Sequence, residues 1–190
     1  DDFSAGKLLT EKLIALGHRR IAYVDSVESD TAYSDEHYSM EERYSGYSAA
    51  MKSAGLPIQK LHASVRSDIF ENRIRELISS PKRPTAIITY LFPELILWHC
   101  REAGLSVPSD ISIAGFCNED LVLPDGLRLC AMMVDDRKIG YESAKMLIRL
   151  IKNKEKKIEA LRIPLVFREG NTAAIAPKQS NKSKNKEGKK

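Results

Sequence analysis

Three stretches of this sequence gather side chains able to do chemistry. Residues 29–42, SDTAYSDEHYSMEE, collect carboxylates, hydroxyls and His37 in the manner of an oxygen-rich cation site. They lack the regular ligand spacing and central glycine of a calcium loop, so the stretch reads as a solvated loop. His99 and Cys100 are adjacent on a predicted helix and so project about 100° apart, poor geometry for a base and its nucleophile. In the third stretch the polar residues Cys117, Asn118, Glu119 and Asp120 directly follow the unbroken apolar run Ile111 to Phe116. The histidines His18, His37, His62 and His99 show no H-E-x-x-H or related spacing, and neither a glycine-rich phosphate cradle nor a G-x-S-x-G elbow occurs. The residues therefore point to no catalytic constellation, no metal site and no cofactor, and an enzyme is not expected.

The elements that position these stretches follow from composition and periodicity. The 190 residues are 43% apolar and 29% charged, which suits a globular domain with a real core. The net charge of +4 is concentrated at one end: Lys178 to Lys190 holds six lysines and one glutamate, contains no apolar residue, and reads as disordered. The remainder is close to neutral, without the basic surface that nucleic acid requires. Cys100, Cys117 and Cys130 are odd in number and have no metal or redox spacing, which points to reduced thiols in the cytoplasm. No apolar run reaches the roughly 18 residues of a membrane span.

Helical periodicity runs from Ser4 to Leu16 and stops at Gly17, before the apolar strand Ile21–Val24. Further helices are predicted over Glu41–Ala54 and Phe70–Ser79. They are followed by strand Thr85–Thr89, a helix Pro93–Ala103 closed by Gly104, and strand Ile111–Phe116. Trp98 falls in an apolar stretch and is expected in the core. Past Asp120 come strand Ala131–Val134, helix Arg137–Lys152 and a final extended element Leu161–Phe167 interrupted by Pro164. Alternating helices and continuously apolar strands predict an α/β fold, a parallel doubly wound sheet. In such sheets ligands sit beyond the carboxyl ends of the strands, where Cys117 to Asp120 would then lie.

Several segments together resemble the sensor domain of LacI/GalR-type bacterial transcriptional regulators, which has the type I periplasmic-binding-protein fold. They are DDFSAGKLLTEKLIALGHRRIAYV at 1–24, ERYSGYSAAMKSAGL at 42–56, PTAII at 84–88, REAGLSVPSDISIAGF at 101–116, IGYESAKMLIRLI at 139–151 and RIPLVFREGNT at 162–172. The resemblance implies two lobes with a small, sugar-like effector between them. Residues 1–133 with 162–174 correspond to the C-terminal lobe and 134–160 to a remnant of the N-terminal lobe, leaving 175–190 as a disordered basic tail. It also implies a cytoplasmic homodimer without a membrane part, contacting DNA only through a helix-turn-helix outside this sequence. Alternatives of other kinds are a degenerate remnant without effector binding and an exported solute-binding receptor.

By the same resemblance Arg43, followed by Gly46 and Tyr47, falls on the family arginine that grips effector hydroxyls or a carboxylate. Arg43→Ala is then expected to weaken binding while barely changing stability. Tyr90 stands where the family has a polar Asn-Asp pair. Cys117 and Asn118 replace two aspartates, with Asp120 nearby. Arg43, Tyr90, Cys117, Asn118 and Asp120 are thus the candidate effector contacts. If most of the N-terminal lobe is missing, the apolar stripe Ile139, Met146, Leu147, Leu150 and Ile151 is expected to lack its packing partners.

Overall fold

The Asp1 carboxylate accepts the Ser4 N–H at 3.2 Å and so caps α1 (Asp2–Ala15), and Gly17, at φ +91°, turns the chain out of that helix. Then follow β1 (Ile21–Val27), α2 (Tyr38–Ser53), β2 (Gln59–Ser64), α3 (Asp68–Ser79), β3 (Ala86–Thr89) and α4 (Pro93–Glu102). The chain ends with β4 (Ser112–Cys117), β5 (Cys130–Met133), α5 (Asp136–Asn153) and β6 (Val166–Arg168). The computed structural model describes residues 1–27, 38–64, 68–90, 92–153 and 159–178. Of the loop reading at 29–42, residues 29–37 with His37 lie outside the described residues, as does the tail reading beyond Lys178. Residues 38–42 are instead the first turns of α2, with Ser39 and Met40 buried because they face α1 and the sheet.

Six strands form one sheet in the order β2-β1-β3-β4-β5-β6, parallel throughout except for the antiparallel β5-β6 pair. Both faces are covered, which is why β1, β3 and β4 carry apolar residues at nearly every position. Leu9 and Leu13 of α1 with Tyr47 and Met51 of α2 pack on Ile21, Tyr23 and Ile88. On the other face Phe70 and Ile74 of α3 with Ile96 and Leu97 of α4 pack on Val24, Ile87 and Ile113. The doubly wound parallel sheet expected from the sequence is therefore present.

Four further expectations need correction. Strand β2 has no counterpart in the sequence reading, because an edge strand reading Gln-Lys-Leu-His needs only Leu61 buried. The last strand is confined to Val166–Arg168, since Pro164 has no N–H to give to a ladder. Trp98 is 48% exposed. On α4 the inward positions are Ile96, Leu97, His99 and Cys100, so Trp98 points away from them. Residues 175–178, assigned to the tail, begin docked: the Ala176 N–H donates to the Leu16 carbonyl at 2.9 Å. Of the stripe on α5, Ile139, Leu147 and Ile151 are exposed, Leu147 by 57% and Ile151 by 69%, while Met146 and Leu150 are half-buried.

The returning segment is stapled into the sheet. The buried Thr172 hydroxyl donates to the Ile113 carbonyl at 2.7 Å and accepts the Cys130 N–H at 2.9 Å, tying β4 to β5. The buried His18 sits 2.9 Å from the Thr85 hydroxyl through Nδ1 and donates through Nε2 to the Ala174 carbonyl at 3.0 Å.

Burial lowers the pKa of both His18 and His99 below the ordinary 6.5, with the Arg75 charge adding to the effect at His99. The His99 ring nitrogens have no hydrogen-bond partner among the described residues. The unfolded chain takes up these protons near pH 6.5 and the native state resists them. Stability is therefore complete above that pH and declines as pH falls below it. Urea midpoints are expected to drop between about pH 7.5 and about pH 5.5, and to drop less in His99→Leu. An equal drop in the variant would assign the pH dependence elsewhere.

Candidate functional site

The site begins with two glycines. A Cβ on Gly46 would lie 2.1 Å from the Phe3 carbonyl oxygen, and one on Gly6 would lie 2.1 Å from the Arg43 carbonyl oxygen. Helices α1 and α2 thus cross backbone against backbone, which only glycine permits. The crossing brings Arg43 on α2 to Asp2 in the first turn of α1, with Arg43 Nε 2.6 Å from Asp2 Oδ1. Both residues are buried. The guanidinium carbon stands 4.7 Å from the Tyr90 ring centroid, beyond β3, and 4.6 Å from the Phe116 centroid near the end of β4. Cation–π contact with both rings restrains the group. Its Nη groups make no other hydrogen bond among the described residues.

Arg43 lies in the wall of a cavity of about 640 Å³ beyond the carboxyl ends of β3 and β4, where ligands bind in open parallel sheets. Ser39, Tyr90 and Asn118 line the same side. The opposite side is made by Ile139, Ser143 and Met146 of α5 and by the extended residues 160–163. Asn118 Nδ2 donates to Asp136 Oδ2 at 3.1 Å, joining the loop after β4 to the start of α5. Glu42 accepts two hydrogen bonds from Arg162, at 2.9 and 3.0 Å, joining α2 to the segment before β6.

Of the residues singled out in the sequence, Arg43, Tyr90 and Asn118 come together in this wall. Cys117 and Asp120 do not. The Cys117 thiol donates to Met133 Sδ at 3.1 Å, and burial, reinforced by Asp120, pushes its pKa up, which removes it as an anionic acceptor. Asp120 lies on the surface, 3.4 Å from Arg168 Nε. His99 and Cys100 are both buried in α4, and burial pushes the Cys100 thiol up to about 12, so neither serves as a nucleophile or base. Asp2 and Phe116 escaped the sequence reading, since an acid in the first helical turn reads as a cap and Phe116 as strand core, while Ser39 falls in the stretch 29–42 that reads as solvated and is buried instead.

Among the described residues no group of three His, Cys, Asp or Glu side chains could hold a metal ion. No helix there is long and apolar enough to cross a membrane. The wall offers fixed donors, carboxylates, hydroxyls and an aromatic face, the chemistry of polar small-molecule recognition.

Residues 10–170 match the family model of the periplasmic binding protein-like domain. The chain belongs to this family. Within it, the arabinose metabolism transcriptional repressor of Geobacillus stearothermophilus is 31% identical over 163 residues, covering 81% of this chain and 43% of the repressor. The HTH-type transcriptional regulator GntR of Escherichia coli K12 is 30% identical over 158 residues, 80% of this chain and 45% of the relative. A LacI family transcriptional regulator from Enterococcus faecium, solved with bound ribose, superposes with a TM-score of 0.72 at 27% identity, covering 92% of this chain and 64% of that one. These relatives are regulators of transcription, and the periplasmic binding protein-like chain is similar to part of each. It spans less than half the length of the curated relatives it matches.

Proposed function

We propose that this periplasmic binding protein-like chain senses a small sugar-like molecule for a cytoplasmic LacI/GalR-type regulator, whose DNA contacts are made by a helix-turn-helix outside the present sequence. The observation that carries the reading is Arg43, immobilised by Asp2 and two rings in a cavity at the carboxyl ends of the strands. A guanidinium so held presents its remaining donors in a fixed plane, suited to adjacent hydroxyls. The ribose held by the Enterococcus relative supports the same ligand class. Association as a homodimer belongs to this reading. The exposed Trp98 shares α4 with Arg101, which pairs with Asp125 in the turn after Val122, itself exposed. Ligand would then act by favouring one arrangement of the two copies over another.

A panel of pentoses and hexoses tested by thermal shift is the direct check. At least one sugar at ~100 times its dissociation constant is expected to stabilise the chain by about 2.7 kcal/mol through mass action. Absence of any shift across the panel would overturn effector sensing by this chain.

A further inference from the structure

An arginine in a sugar cavity is ordinarily its positive pole, ready for a carboxylate as well as for hydroxyls. Here that charge is already matched. Asp2 holds Nε at 2.6 Å, and the Tyr90 and Phe116 rings both lie against the guanidinium, leaving the Nη groups as its donors for a ligand. The cavity's second guanidinium is matched in the same way, Arg162 being bound through both Nη groups by Glu42. What remains among the described residues of the wall is acidic: Asp136 and Glu142, with the Asp1 carboxylate capping α1. Among the described residues Asp136 receives only a neutral amide, from Asn118. Glu142 has the half-exposed Lys145 at 3.3 Å. Among the described residues, a carboxylate entering the cavity meets no unmatched guanidinium and several acids. An uncharged polyol can instead set two neighbouring hydroxyl oxygens on the Nη edge and donate its protons to the carboxylates.

Building on the effector reading above, we infer that Asp2 is a specificity-determining residue: by neutralising Arg43 it makes the cavity select uncharged polyols and reject the corresponding sugar acids. Asp2 acts through Arg43, so its signature is a changed ratio of affinities rather than a general loss of binding.

Matched pairs test this: D-ribose against D-ribonate and D-glucose against D-gluconate, titrated calorimetrically into the intact chain and into Asp2→Asn. The chain is expected to favour each aldose by at least about tenfold, and Asp2→Asn to shift that ratio toward the acid by roughly tenfold, the size of one charged hydrogen bond. Added salt supplies a check that needs no variant. If the wall repels acids, raising ionic strength strengthens aldonate binding; if it attracts them, binding weakens. An aldonate bound as tightly as its aldose, or a ratio unmoved in a folded Asp2→Asn, overturns the inference and leaves effector sensing intact. No heat from either member of either pair overturns sensing of these sugars and the inference with it.

Discussion

Gly46→Val is expected to unfold the chain or cost it about 3 kcal/mol or more. At Gly46 the obstruction is backbone: a Cβ there would lie 2.1 Å from the Phe3 carbonyl oxygen and 2.7 Å from the Lys7 nitrogen. Backbone cannot swing aside as the end of a side chain can, so α1 and α2 must part. Their separation opens the cluster of Leu9, Leu13, Tyr47 and Met51 and pulls Arg43 from Asp2. Gly46→Ala should show the same effect at reduced size. Chemical denaturation measures both, and a Gly46→Ala midpoint equal to that of the parent would mean that the helices do not touch there.

The second large effect concerns Arg43 itself. Read from sequence, its loss should weaken binding and leave stability alone. The buried pair with Asp2 changes that expectation. Removing the guanidinium strands a buried carboxylate, which costs ~3–5 kcal/mol when a buried ion pair is broken from one side. Arg43→Ala should therefore lose both effector binding and several kcal/mol of stability, read from urea titration. The double replacement Asp2→Asn with Arg43→Met should recover much of that stability, because the two sites are directly coupled. Equal midpoints for Arg43→Ala and the parent would show that Asp2 has found another partner or is not buried.

What the sequence made legible was whatever depends on neighbours along the chain. Continuous apolar runs marked β1, β3 and β4, and Gly17 and Gly104 marked helix ends, because burial on both faces and positive φ impose residue types locally. β2 stayed hidden, since an edge strand with Lys60 and His62 has no apolar rhythm. Trp98 misled because a large apolar residue on α4 need not face the sheet. In the site, Arg43 was legible by resemblance and Asn118 by its place after β4. The Asp2 partner was not, being 41 positions away and brought in only by a helix crossing. Cys117 and Asp120 share a loop with Asn118, and sequence adjacency gave no measure of which of them turns toward the cavity.

The stapling of the last described segment has a consequence for how the protein is made. His18 is made well before its carbonyl acceptor, which belongs to Ala174, 156 positions later. Likewise the Ile113 N–H bonds the Thr172 carbonyl and the Cys130 N–H bonds the Thr172 hydroxyl. A ribosome must therefore synthesise almost the entire described chain before these buried groups meet their partners. Until then the nascent sheet carries open donors and acceptors in its interior, so that its native packing waits on the synthesis of residues 172–174.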